Sequence, residues 1–179
     1  MTTADLTIEI TRATTEHLPR VVELMKGLAE FEKLLDEFRV TEDLLERHIF
    51  TQEPMGELIV GSLDGEICGY ALFFHNFSTF QGRPGLYLED VYVDPCARGK
   101  GLGRALLIEV IRIARERGCR RSEWLVLDWN KRAKQLYESL GADILDDWRL
   151  CRMSEAAMDK LLDEDYREDK NSTRQEDLP

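Results

Sequence analysis

Leu6 to Ile10 alternates apolar and polar residues and gives out near Arg12, the period-two pattern of a half-buried strand. Thr14 or Thr15 then offers an N-cap, and Leu18, Val21, Val22, Leu24, Met25, Leu28 and Ala29 recur at helical spacing to about Lys33. A second cap at Thr41 precedes Leu44, Leu45 and Ile49 in a short helix. The runs Leu58 to Leu63 and Ile67 to Phe74 flank Asp64-Gly65, turn chemistry that predicts a tight antiparallel hairpin. Beyond it the pattern predicts a strand from Leu86 to Val93 and a helix from Leu102 to Arg117 closed by Gly118. A strand from Ser122 to Leu127, a helix from Lys131 to Leu140 between the Asn130 cap and Gly141, and a last strand near Ile144 to Arg152 follow. The predicted order is β-α-α-β-β-β-α-β-α-β. Consecutive antiparallel strands followed by strand-helix-strand units indicate an α/β fold with a mixed central sheet of about six or seven strands.

At 179 residues, 43% of them hydrophobic, the chain has room for one domain with a packed core, expected over residues 1–153. From Ser154 onward a short helix holding Ala156, Ala157, Met158, Leu161 and Leu162 is expected to fade into an acidic tail, disordered from about Asp165. That segment carries nine acidic and four basic residues, so it supplies about half of the net charge of −11. The negative balance argues against a nucleic-acid groove and favours a cationic partner. No apolar run approaches the roughly 20 residues that span a bilayer, and the N-terminus, with Asp5 and Glu9, lacks a basic region followed by an apolar one. The expectation is a cytoplasmic protein without membrane association. Cys68, Cys96, Cys119 and Cys151 form no C-x-x-C pair and no ligand spacing with His17, His48 or His75, so neither metal nor disulfide is expected.

The stretch from Val91 to Arg104 carries the strongest chemical signal. It reads as a strand that stops, a turn, and a corner, Arg98, Gly99, Lys100, Gly101, Leu102, Gly103, Arg104, that opens a helix. Gly99, Gly101 and Gly103 leave backbone N–H groups uncovered, and the helix adds the positive end of its dipole, so the corner suits a phosphate-bearing ligand such as a pyrophosphate. No Lys followed by Ser or Thr closes it, which argues against a Walker P-loop. Arg104 stands where the third glycine of a dinucleotide fingerprint belongs.

Just upstream, Glu89 and Asp90 interrupt the otherwise apolar, β-prone run Leu86 to Val93. Successive strand side chains point to opposite faces, so both carboxylates reach one side only if a bulge intervenes. Either one faces water while the other pairs with an arginine, or the two form an anionic site for a cationic substrate.

Arg98, Gly101 and Gly103 resemble the R/Q-x-x-G-x-G/A motif of the GNAT family of N-acetyltransferases. Trp129, Asn130, Lys131, Arg132, Ala133, then Leu136, Tyr137, Glu138, then Leu140, Gly141, Ala142 resemble the W-N...A...Y...L-G-A segment of the same family. The resemblance covers roughly residues 7 to 152 and implies the GNAT fold, with acetyl-CoA as co-substrate and its pyrophosphate at the corner. It lays Val91, Tyr92 and Val93 along the pantetheine arm, where a main-chain N–H meets the thioester oxygen. It also implies that Tyr137, sharing a helix face with Asn130 and Ala133 on the cofactor side, protonates the departing sulfur. Leu28 to Lys33, Tyr87 to Asp90, Leu127 to Asn130 and Trp148-Arg149 further resemble the spermidine/spermine and thialysine acetyltransferase branch. There Glu32, Glu89 and Asp90 match positions lining the substrate site, and Phe31 stands where the polyamine enzymes tend to carry Tyr. Leu127-Asp128-Trp129-Asn130 looks more like the thialysine side.

What this resemblance implies is transfer of acetyl to the primary amine of a small cationic substrate, whether a diamine, a polyamine or a thialysine- or lysine-like amino acid, by a homodimer. Protein or antibiotic amines are an alternative, as is a non-catalytic acyl-CoA-binding module. An aliphatic amine with a pKa near ~10 is almost wholly protonated at neutral pH, and removing that proton costs about 4 kcal/mol. Glu89 is the expected base, acting through a water, with Asp90 holding the substrate's charge. Phe73, Phe74, Phe77 and Phe80 are expected in the core or along the amine's methylene chain.

Overall fold

The structure is a computed structural model in which residues 6–163 and 165 are described. Strands β1 (Ile8–Arg12), β2 (Glu57–Leu63), β3 (Glu66–Ser78), β4 (Arg83–Val93) and β5 (Ser122–Glu123) lie side by side in that order. The first four pair antiparallel and β5 joins β4 in parallel, so the sheet is mixed. The helices are α1 (Leu18–Glu32), α2 (Glu42–Ile49), α3 (Leu102–Glu116) and α4 (Lys131–Ser139).

The local signals place most of these. Thr41 Oγ1 accepts the amide of Leu44 and so caps α2. Asp64 at the hairpin turn accepts the Thr7 amide at 3.0 Å and returns its own amide to Thr7 O at 2.9 Å, which docks the β1 end on the β2–β3 turn. Thr41→Ala removes one satisfied helix amide, and the expected loss is about 1 kcal/mol, or a melting temperature lower by roughly 2–4 °C in thermal denaturation.

Val21, Leu24 and Met25 of α1 and Leu45 of α2 pack with Leu58, Val60, Tyr70 and Tyr92 on one face of the sheet. The buried stripe of α3, Leu102, Leu106, Leu107, Val110 and Ile113, takes the other face. Arg117, just past α3, grips Glu57 at the start of β2 with Nη1 and Nη2, the latter at 2.7 Å, and fastens that helix end to the sheet.

Two expectations about strands are corrected. The sheet has five strands among the described residues rather than six or seven. The strand expected from Ser122 to Leu127 stops after Glu123, because β5 pairs only with Leu86 and Tyr87 and β4 bulges immediately afterwards. A bulge bends its strand and ends regular pairing. No strand forms near Ile144 to Arg152. The chain packs as two units, Met1–Leu136 and Tyr137–Pro179, and the second offers no partner strand among its described residues to complete a ladder. Taken by itself, that unit closes α4 with the Gly141 and Ala142 amides on Glu138 O and Tyr137 O and carries a helix over residues 155–163. Apart from Asp165, which is helical, the tail expected to be disordered lies outside the described residues.

Candidate active site

On β3, Leu72 faces Asp90 and Phe73 faces Leu88, so Glu89 is the extra residue of a β-bulge. Cross-strand partners share a face of the sheet, and the bulge resets which face β4 presents. Before it, Leu88 lies opposite Phe73, and both are buried. After it, Asp90 and Tyr92 lie opposite Leu72 and Tyr70, on the face covered by α1. The neighbouring carboxylates are thereby separated in environment. Glu89 is exposed on the bulge, and Asp90 is half-buried.

The hydroxyl of Tyr70 donates to Asp90 Oδ2 at 3.2 Å. Burial, then repulsion from Glu89, pushes the Asp90 carboxyl up to about 6; the Tyr70 bond pulls it part of the way back, and Glu32 adds to the rise. Burial also raises Glu32, at the end of α1, and the field of Glu32 reaches both Asp90 and Tyr70. Glu32, Glu89 and Asp90 thus share one acidic field. Tyr70 joins them without a sequence signal, because a tyrosine in an alternating strand is indistinguishable in sequence from a core aromatic.

Beside the acids runs a stack of rings and cations. Phe31 and Trp129 pack with centroids 5.2 Å apart, Lys33 Nζ lies 5.9 Å from the Trp129 centroid, and the Arg98 guanidinium lies 5.2 Å from Phe31 and 5.3 Å from Tyr92. Tyr92 extends its ring to α1 because Gly27 leaves room: a Cβ there would stand 2.7 Å from the Tyr92 hydroxyl oxygen. Phe31 and Trp129 form an apolar ring pair in this stack, and the four phenylalanines expected in the core or along the amine lie elsewhere. Phe73 is core, Phe74 packs on Tyr87 at 5.1 Å, and Phe77 and Phe80 are exposed.

Arg98 joins this stack rather than the corner, donating Nε to Val93 O at 2.9 Å. The corner itself is built from backbone. Gly101 is the N-cap of α3 at φ 91°, a left-handed conformation that a β-carbon makes costly, and no side chain caps the helix there. The amides of Leu102, Gly103 and Arg104 therefore open the helix with Lys100 and Arg104 alongside. Asp94 organises the approach: its carboxylate accepts the Cys96 amide at 3.1 Å and Arg20 Nη2 at 2.8 Å. Next to it, β4 from Leu88 to Val93 extends beyond the two residues paired with β5, leaving a strand edge beside the corner.

Asn130 caps α4 through Oδ1 and the Ala133 amide at 3.2 Å, as expected. Tyr137, on the same helix, begins the second unit. Away from the acids, a polar cavity of about 130 Å³ is lined by Arg12, Glu109, Arg112, Glu116 and Arg117 with Ile10, Ile59 and Ile113. Its arginines are engaged with Glu57, Glu109 and Glu116. Among the described residues no helix is long and apolar enough to cross a membrane.

Comparison with known proteins places this geometry among others. The family model described as acetyltransferase (GNAT) family matches residues 21–142. A thialysine N-epsilon-acetyltransferase from Bos taurus is 38% identical over 152 residues, covering 79% of this chain and 89% of that protein. An L-ornithine acetyltransferase from Arabidopsis thaliana is 39% identical over 98 residues, 55% of this chain and 43% of that protein. Among solved structures, an integron cassette protein from V. cholerae superposes with a TM-score of 0.73 at 24% identity, covering 87% of this chain and 97% of its own.

Proposed function

Because this chain belongs to the acetyltransferase (GNAT) family and is an acyltransferase enzyme, we propose that it transfers acetyl from acetyl-CoA to the primary amine of a small cationic substrate carrying a methylene chain. The observation that carries this reading is the bulge at Glu89, which sets a half-buried Asp90 beside Glu32, next to an apolar ring wall and an open strand edge. The relatives described above are named for thialysine and ornithine, amino acids with a distal amine.

The corner fits the coenzyme's pyrophosphate: its donors are main-chain amides, Gly101 and Gly103 carry no β-carbon, and Lys100 and Arg104 add positive charge. When bound, acetyl-CoA supplies an acyl group activated as a thioester. The residues of the chain do the rest. Glu32 and the exposed Glu89 attract the ammonium, and Phe31 with Trp129 lines its methylenes. Asp90, raised toward neutrality by burial, accepts the ammonium proton at Oδ1 or Oδ2, directly or through a water. This exchanges the roles expected from sequence. Burial and the Tyr70 hydrogen bond support Asp90 as the base, and solvent exposure suits Glu89 to long-range attraction. Main-chain N–H groups within Val91 to Val93 face the charge that develops on the carbonyl oxygen. The Tyr137 hydroxyl gives a proton to the leaving sulfur. Asn130 and Ala133 hold the start of that helix, and the homodimer and cytoplasmic location expected above belong to the same proposal.

Release of free CoA on incubation with acetyl-CoA and a panel of diamines, polyamines, lysine, ornithine and thialysine tests the reading; no release above background with any of them refutes it. Gly101→Val is expected to weaken acetyl-CoA binding at least tenfold in calorimetric titration, since the left-handed φ at the cap is lost to a branched residue. Affinity within twofold of the parent protein would remove the corner from the site.

A further inference from the structure

Lys33 ends α1 in the left-handed conformation, at φ 64°, and its ammonium lies over the exposed face of Trp129 with no ion pair among the described residues. Glu32, one residue earlier, belongs to the acidic site. Phe31, Glu32 and Lys33 are consecutive, so an acid of the cluster and the cation over Trp129 flank one ring wall, while Arg98, the other cation on that wall, is engaged with Phe31, Tyr92 and Val93 O.

Resting on the amine-acetylation reading above, we infer that Lys33 reads an anionic group at the far end of the substrate, so that the site selects diamino acids over simple diamines and polyamines. A polyamine is positive at every nitrogen. Its reacting ammonium satisfies the acids, but its next ammonium meets Lys33 across the ring wall and is repelled. A diamino acid is polar along its length, with an ammonium at one end, methylenes between, and a carboxylate at the other. That sequence of charges complements Glu32 and Asp90, Phe31 and Trp129, and Lys33 in turn. The ammonium of Lys33 needs no rearrangement to meet a carboxylate, since its hydrogens are not committed to a protein acid, and charge-assisted bonds of this kind are the strong ones. Trp129 holds the cation by its ring face, a contact that fixes its direction while leaving its donors free.

The test compares pairs that differ only by the carboxylate: L-lysine with 1,5-diaminopentane, and L-ornithine with 1,4-diaminobutane. For the parent protein the ratio of kcat/KM, amino acid over diamine, is expected to exceed ten. Lys33→Gln should lower that ratio about tenfold, mainly through KM of the amino acid. Lys33→Glu should invert it, because a carboxylate at position 33 repels the amino acid and attracts the diamine's second ammonium. Lys33→Arg should recover most of the parent ratio. Ratios within twofold of the parent in both the glutamine and glutamate variants overturn the inference. If none of the four amines is acetylated, the catalytic reading fails instead. The same ratios, read as dissociation constants by calorimetry with CoA present, then decide the role of Lys33 separately.

Discussion

Asp90→Asn is expected to lower kcat/KM for amine acetylation about 10³-fold while making the protein more stable at pH 8. The catalytic half follows from the loss of the proton acceptor, a role worth typically 10²–10⁴. Asparagine is isosteric and still accepts the Tyr70 hydroxyl, so geometry is kept and basicity removed. In the parent protein kcat/KM should fall as pH drops through about 6, where the Asp90 carboxyl takes up its proton, and the variant should lack that limb. The stability half follows from linkage. A carboxyl that titrates at about 6 in the folded protein and at its ordinary 3.8 in the unfolded chain binds more protons when folded between those values. Stability therefore falls as pH rises from about 4 to about 6 and stays lower above it. Removing the charge should recover up to about 3 kcal/mol at pH 8 and nothing near pH 3.5. Thermal melts at the two pH values check the sign; a variant less stable than the parent at pH 8 contradicts the cost assigned to this buried acid.

Tyr137→Phe is expected to lower kcat about 10²-fold, with kcat/KM for the amine falling in parallel, the pattern of an interaction made only as the thioester breaks. A thiol with pKa about 8.5 is a fair leaving group on its own, so the loss should be smaller than for Asp90. Acetyl thioesters of more acidic thiols need the proton less, and the gap between parent and variant should narrow with them. Equal rates for parent and variant would remove the phenol from the chemistry and leave proton delivery to solvent.

Both variants probe features that differ in how far the sequence discloses them. The caps at Thr41 and Asn130, the Asp64-Gly65 turn and the helical stripes of α1 and α3 are local, and they appear where the pattern puts them. The glycine corner is local too, because its chemistry lies in the backbone. The length of β5 is not, since pairing ends where β4 bends away. The adjacent acids required a bulge if they were to share a site, but only the register shows that Glu89 is the inserted residue and Asp90 the shielded one. Arg98 belongs to the corner by motif, and its direction is set by Phe31 and Tyr92, rings that no local spacing connects to it. Tyr70 carried no signal, hidden in a strand, and Lys33 closed a resembling segment without a role of its own.

The inserted residue at position 89 ties reactivity to framework in a way substitutions cannot undo. Deleting Glu89 would close the ladder with Leu88 still opposite Phe73 and Asp90 still opposite Leu72, so the half-buried acid would keep its side of the sheet while the exposed acid and the local kink would vanish. Point changes around the acids can retune which amine is used. Only a change of chain length can straighten the strand beneath them.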